Sequence, residues 1–191
     1  MEMNKLKTDF KYIKQILLHK KYVLEECTAC GIFWQGIKHD LSKFSKEELV
    51  PSAMYYDYDN VERTDEIAKN YAKAWCHHKG RNPHHWEYWI DISSEGNIIT
   101  NKIPYKYVVE MVCDWIGAGK VYEKTKWDQS SPLAYYSAVR KGRHFHPETE
   151  GLILMFLHCI KNDRLDEFHK MAKAQYPYMF LDSDYENGKL L

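Results

Sequence analysis

The sequence predicts an all-α fold, a bundle of seven to eight helices carrying at most one small β-hairpin near residues 88–103. Three observations predict it. Apolar residues recur with a helical period through most of the chain, as Phe10, Ile13, Leu17 and Leu24 do near its start. Helix start and stop residues divide that pattern into segments of ordinary helix length, with no repeat and no low-complexity linker between them. Only Tyr88 to Pro104 carries β-type residues on both sides of a turn, Ser94-Glu-Gly-Asn97. A chain of 191 residues has room for one ordinary domain and can bury a core without disulfide or metal staples. The expected division is a single domain over 1–191, with a site-bearing core in about 5–123 and C-terminal helices in about 131–176 packed on it.

The elements follow in order. The first helix spans about Lys5 to Ala29 and stops near Gly31. A second, short and apolar, spans about Phe33 to Lys43. Ser45-Lys-Glu-Glu48 has the form of a capping box, so a third starts there and is disturbed or ended by Pro51. Tyr55 to Arg63 is polar and turn-rich. A fourth helix, about Asp65 to His78, puts Ile67, Tyr71, Ala74 and Trp75 on one face, and Asn82-Pro83 stops it. The fifth covers about Tyr105 to Glu123. Ser131-Pro132, with proline at the first helical position, opens a sixth that runs to about Lys141. The seventh, about Pro147 to Lys161, is apolar nearly all round and is expected to sit centrally. The eighth spans about Arg164 to Gln175, and the segment after Pro177 is expected to be peripheral. Asp182 to Gly188 looks loosely like a calcium loop, but Asn187 stands where an EF-hand needs glycine.

Composition excludes several classes. Lys+Arg and Asp+Glu are both 27, and general nucleic-acid binding normally shows as a basic excess. With 45% hydrophobic and 15% aromatic residues, the chain is not of disordered type. The longest apolar run, Leu152 to Leu157, falls far short of the ~18 residues of a membrane span. Met1 to Lys14 is charged and lacks the apolar centre of a signal peptide, so a cytoplasmic location is expected. The five cysteines are odd in number, against a disulfide framework. Cys27-Thr-Ala-Cys30 has C-x-x-C spacing, but it follows a helix and has no second such pair, so it reads as buried, reduced thiols.

The histidines carry the functional signal. Four of the ten, His77, His78, His84 and His85, fall within nine residues. A solvated loop does not need four imidazoles, whereas neutral imidazole is the commonest metal ligand. His39-Asp40 sits in an otherwise apolar segment, where an ionised aspartate is costly unless paired, hydrogen-bonded or bound to a cation. Three further helices each place one polar group on an apolar stripe. His19 shares a stripe with Tyr12, Ile16 and Val23, His78 follows Ile67, Tyr71 and Trp75, and Asp114 lies among Tyr107, Met111, Ala118 and Val121. Taken singly, each is more often a satisfied core residue than a ligand. Together they are how a helical bundle builds a metal site.

The order His19, His39-Asp40, His77-His78, His84-His85, Asp114 resembles the HD-domain superfamily of metal-dependent phosphohydrolases. That signature is an early histidine, a His-Asp doublet and a later aspartate, with added histidines in binuclear members. The match covers roughly residues 19–114. The gap from His19 to His39 is shorter than usual for the superfamily and is spanned by helix, Gly31 turn and helix. The finer wording, His39-Asp-Leu-Ser-Lys-Phe44, Asn82-Pro-His-His-Trp86 and Glu110-Met-Val-Cys-Asp-Trp115, is similar to a family of uncharacterised bacterial and phage proteins.

The resemblance implies an HD-like bundle holding one or two divalent ions. His19, His39, Asp40 and Asp114 would hold one, and His78 with one or both of His84 and His85 a second. The mixed nitrogen and oxygen set suits Mn, Fe, Zn, Ni or Co. The implied reaction is hydrolysis of a nucleotide or other small phosphate ester by metal-activated hydroxide, with Asp40, Lys43 and Arg81 as the catalytic set and the two cations meeting the phosphate. Both cations read equally well as surface solubility. Arg140, Lys141 and Arg143, beside His144-Phe-His146, could lid the site, although such a run is more often a solvated loop. His158 reads as a core residue and His169 as a surface one. The competing classes are a non-catalytic metal-binding or interaction protein and a di-iron oxygenase of HD type. The expected partner is a small phosphorylated substrate, with no membrane, and the tyrosines and tryptophans leave room for a homo-oligomer without marking a surface for it.

Overall fold

The computed structural model of the protein describes residues 2–57 and 61–175. Among these it forms eight α-helices and one hairpin, as the sequence predicts. The helices are α1 (Glu2–Ala29), α2 (Phe33–Lys38), α3 (Lys46–Tyr56), α4 (Asp65–Arg81), α5 (Tyr105–Tyr122), α6 (Ser131–Val139), α7 (Pro147–Lys161) and α8 (Leu165–Lys173). The hairpin pairs β1 (Ile90–Ile92) with β2 (Ile98–Thr100) antiparallel, Ile90 opposite Thr100. No helix among the described residues is long and apolar enough to cross a membrane. The calcium-like segment 182–188 lies outside the described residues.

α1 ends as its sequence requires. Gly31 takes φ +79°, a left-handed conformation that costs glycine nothing. The Ile32 N–H then bonds the Cys27 carbonyl and the Gly31 N–H bonds that of Thr28, the two closing bonds of a Schellman cap. The chain turns back, and α2 packs on α1.

α2 stops at Lys38, five residues earlier than the sequence suggests. Asp40 adopts φ +54° and ψ 25°, and a 3₁₀ turn over Leu41–Phe44 follows. The break has a use. Consecutive residues on a helix point about 100° apart and do not face one centre. A left-handed residue between two helical segments lets His39 and Asp40 aim at the same place. Lys20 on α1 secures the broken end by donating to the carbonyls of Ile37 and His39.

Further expectations change. The capping box does not form, because the Ser45 side chain makes no cap bond and Glu48 is turned inward to His77 and His78. Pro51 does not end α3, which continues to Tyr56. The most enclosed helix is α5 rather than α7: eleven of its eighteen residues are buried, against seven of fifteen in α7. α1, α6 and α7 all pack on α5. The core joins Val23 of α1, Val108, Val112 and Ile116 of α5, Phe156 and Ile160 of α7, and Phe168 of α8. Each of the two buried phenylalanines contributes about 1.5–3 kcal/mol by leaving water. Cys27, Cys30 and Cys113 are buried free thiols, and Cys30 Sγ lies 3.8 Å from Cys113 Sγ. His158, in contrast to its sequence reading, is exposed on α7.

His169 is not a simple surface residue either. Its Nε2 lies 2.7 Å from Glu26, a buried carboxylate that also accepts from Lys120. Burial pushes the Glu26 carboxyl up, but His169 and Lys120 outweigh it and hold it below its ordinary value. A carboxylate depressed on folding adds stability above its unfolded pKa of about 4.5, and loses it as pH falls through the lower folded value. Glu26→Gln is therefore expected to cost about 2 kcal/mol at pH 7. It should also flatten the acid limb of stability below about pH 4.5. Urea unfolding of both proteins at pH 7 and pH 4 checks this: an equal loss at both values would contradict it.

Candidate metal centre

The candidate site lies where α1, the α2 break, α4, the loop after α4, and α5 converge. His19 comes from α1, His39 and Asp40 from the break, His78 from the last turn of α4, His84 and His85 from the loop, and Asp114 from α5. His39, Asp40, His78 and His84 are each no more than 3% exposed, and His19 and Asp114 sit at the open side.

These residues form two groups whose ligand atoms lie within reach of one ion each. One is His19, His39, Asp40 and Asp114, and the other is Asp40, His78, His84 and His85; among the described residues a third group, His39, His84 and Glu110, also brings its ligand atoms within reach of one ion. Asp40 belongs to the first two and divides its oxygens between them. Its Oδ2 lies 3.4 Å from His39 Nε2 and 3.8 Å from His19 Nε2. Its Oδ1 lies 3.3 Å from His78 Nε2 and 3.5 Å from His84 Nε2. In the first group, His19 Nε2 is 2.9 Å from Asp114 Oδ1.

The imidazoles are held from behind by carboxylates. Glu110 on α5 places Oε1 2.9 Å from His39 Nδ1 and 3.1 Å from His84 Nδ1. Glu48 on α3 places Oε2 2.8 Å from His78 Nδ1. A carboxylate only accepts, so each of these Nδ1 atoms donates and each Nε2 is the nitrogen turned to the site. Asn82 ties down the end of α4, its amide donating to the His78 carbonyl at 2.8 Å and to Ser42 Oγ at 2.7 Å.

The side facing the ligand groups contains polar atoms whose hydrogen-bonding capacity is unused. Among the described residues, Asp40 Oδ1, His84 Nε2 and His85 Nε2 are buried and make no hydrogen bond. Such atoms are expensive to bury, and all three belong to the second group. The donor set is imidazole and carboxylate, which divalent transition ions accept. The residues therefore fit a divalent ion.

The electrostatics point the same way. Burial pushes the Asp40 carboxyl up, but His39, Lys43, His78 and His84 hold it well below the usual range. Burial likewise opposes ionisation of Asp114 and is overcome by His19 and His39. Glu110 falls to about 2 against its burial because His39 and His84 face it. Burial pushes His39 down, yet Asp40, Asp114 and Glu110 carry it up to about 10, so this imidazole is where the excess negative charge collects a cation. His85 is held well below its ordinary value by burial and by its neighbours His84 and His78, which keeps it the neutral form a metal needs.

Five of the ligands, His19, Asp40, His78, His85 and Asp114, floor a cavity of about 300 Å³ walled by Tyr12, Tyr56, Tyr71, Trp75 and Tyr135. Lys43 lines it, with Nζ 2.6 Å from Asp40 Oδ2. A smaller adjoining cavity shares Trp75, His85, Asp114 and Tyr135 and is lined by Arg143, whose guanidinium lies 5.2 Å from the rings of both Trp115 and Tyr135. Arg81 is exposed at the end of α4 and lines neither cavity. His77 faces the other way, into a cleft of about 680 Å³ between α3 and α4, with Nδ1 2.7 Å from Glu48. Arg140 is engaged by Glu150, His144 is exposed beside Trp86, and His146 caps α7 through Nδ1.

Glu48, Glu110 and Lys20 are the site residues that sequence reasoning missed. Glu110 was within reach, because it lies one helical turn before Asp114 and so shares its face. Glu48 was hidden by its resemblance to a capping-box residue.

Neither a curated protein nor a solved structure matches the chain. A family model does, over residues 8–158, a segment that contains every member of both ligand groups. The chain belongs to that family, the family of unknown function DUF5662.

Proposed function

We propose that the protein is a metal-dependent phosphohydrolase of HD type, acting on a nucleotide or other small phosphate ester at a centre of one or two divalent ions. One observation carries the reading: Asp40 turns Oδ2 to one group of imidazole and carboxylate ligands and Oδ1 to another. The order of the ligands along the chain supports it, being that of the binuclear HD-domain signature. A divalent ion held there supplies Lewis acidity, lowering the pKa of bound water and polarising a phosphoryl oxygen. The mixed ligand set with no cysteine suits Mn, Fe, Zn, Ni or Co.

The chain's own residues supply the rest. Glu48 and Glu110 hold three imidazoles in one tautomer and orientation. Lys43 brings a positive charge to the cavity beside Asp40, where it can meet a phosphate oxygen. In the adjoining cavity Arg143, rather than Arg81, is the guanidinium within the lining. The ligand groups open into the cavity that Lys43 lines, as a catalytic site does, whereas a structural metal staple has a closed shell.

The test is metal content and phosphate release, measured on the wild type and on His39→Ala/Asp40→Ala. The wild type is expected to retain metal and to release phosphate from at least one ester, and the double variant to do neither. Full metal content in the double variant would overturn the site. Metal-loaded wild type inert towards every ester would pass the reading to a metal-stabilised binding protein, or to oxidative chemistry if the metal is redox-active iron.

A further inference from the structure

One buried carboxylate stands behind both ligand groups. Glu110 is 2% exposed, and its Oε1 faces His39 Nδ1 at 2.9 Å and His84 Nδ1 at 3.1 Å. His39 belongs to the first group and His84 to the second. The other oxygen, Oε2, accepts from Gln35 Nε2 at 2.6 Å, which fixes the carboxylate's own orientation. The two imidazoles also pack on each other, with ring centroids 4.4 Å apart.

We infer that Glu110 is a positioning residue that couples the two ion sites, so that loading one prepares the other. The inference rests on the two-ion reading of the centre. His39, with an ion held at Nε2, would be ordered and, through its Nδ1–H, would fix the shared Glu110 oxygen in place. The same oxygen then holds His84 with Nε2 directed at the second ion. Ordering that the two sites would otherwise each require is completed when the first ion enters.

The molecule contains its own control. Glu48 is also a buried carboxylate behind these imidazoles, but it serves one ligand alone: Oε2 meets His78, and Oε1 meets His77, which belongs to neither group. A carboxylate acting only as a tautomer clamp should affect one ion, whereas one shared by both groups should affect their linkage. Asp40 is also shared, but it is itself a ligand, so changing it deletes sites rather than uncoupling them.

The experiment is titration of Co²⁺ into ion-free protein, followed by visible absorption and by counting bound metal. The wild type is expected to take up two ions in one steep phase. Glutamine at 110 keeps one oxygen that can face both imidazoles but loses the charge, and its NH₂ opposes the Gln35 amide that Oε2 accepts from, so both bonds weaken and the side chain is no longer fixed. Glu110→Gln is therefore expected to weaken both ions and split uptake into two phases at least about tenfold apart, the scale on which outer partners tune metal affinity. Glu48→Gln should weaken one ion and leave the other unchanged. Gln35→Leu keeps the Glu110 carboxylate and only loosens it, so it should give a smaller split even if Glu110→Gln fails to fold. Glu110→Gln matching Glu48→Gln, or Gln35→Leu titrating like the wild type, would overturn the coupling. Two ions entering the wild type in unlinked phases would also overturn it, leaving the two-ion centre standing. A wild type that takes up one ion or none would overturn the centre and the coupling together.

Discussion

Asp40→Asn protein is expected to bind neither ion, although it keeps its fold. Asparagine tolerates the left-handed backbone that position 40 adopts, so the break between α2 and the following turn is preserved. What is lost is the charge, and with it the anionic oxygen each ligand group takes from this residue. Bound metal should fall from two equivalents to none, and turnover by more than about 100-fold, the upper end of what even an outer-shell change costs. Single-group variants set the contrast. His19→Ala should spare the second group, which lacks His19, and His85→Ala should spare the first. Without metal, Asp40→Asn also breaks the pair with Lys43. The Lys43 side chain is 24% exposed and can turn to water, so the loss of stability should stay near 1–3 kcal/mol, roughly the cost of one charged hydrogen bond and below that of breaking a fully buried ion pair. Metal counting and urea unfolding of ion-free protein check both parts. Retention of one ion by Asp40→Asn would mean that the residue is not shared.

Gly117→Ala is expected to damage the fold and the first ligand group together. A Cβ at 117 would stand 2.6 Å from Val23 Cγ2 and 3.2 Å from the Val23 backbone nitrogen. The valine methyl has no room to swing away, and the nitrogen moves only with α1, so the two helices must separate. Overpacking of this kind costs about 1–3 kcal/mol. The same two helices carry His19, four residues before Val23, and Asp114, three residues before Gly117. Spreading them lengthens the 2.9 Å His19–Asp114 contact. The variant should melt lower and bind the first ion more weakly, while the second group, which takes no residue from α1 or α5, is less disturbed. Unchanged melting would show that the helices do not approach so closely.

Much of this was legible in the sequence, for identifiable reasons. Helical periodicity marks α1, α4, α5 and α7, because period 3.6 survives in the order of residues, although Phe10 and Leu17 of α1 and Trp75 of α4 turn out exposed. The inward direction of His19 and His78 follows from the same periodicity, since each continues an apolar stripe. The break at Asp40 did not show. Its left-handed backbone is unannounced by glycine, and His39 and Asp40 lie among residues that suit a helix. The carboxylates behind the site were only half visible. Glu110 and Glu48 meet their histidines across 71 and 30 residues of chain, a pairing made by helix packing rather than by any local pattern. Arg81 and Arg143 show the reverse difficulty. Spacing draws attention to Arg81 between the histidine doublets, but the last turn of α4 points it to solvent, while the loop before α7 brings Arg143 beside the ligands.

On the proposed reading Asp40 joins two ion sites. Anomalous diffraction from crystals of protein loaded with Mn²⁺ tests it most directly. Two peaks are expected, one among His19, His39 and Asp114 and one among His78, His84 and His85, separated by roughly 3.5–4 Å as in two-metal centres. A different Asp40 oxygen should meet each. Peaks only at surface carboxylates, or a single peak that leaves His84 and His85 unbound, would contradict it.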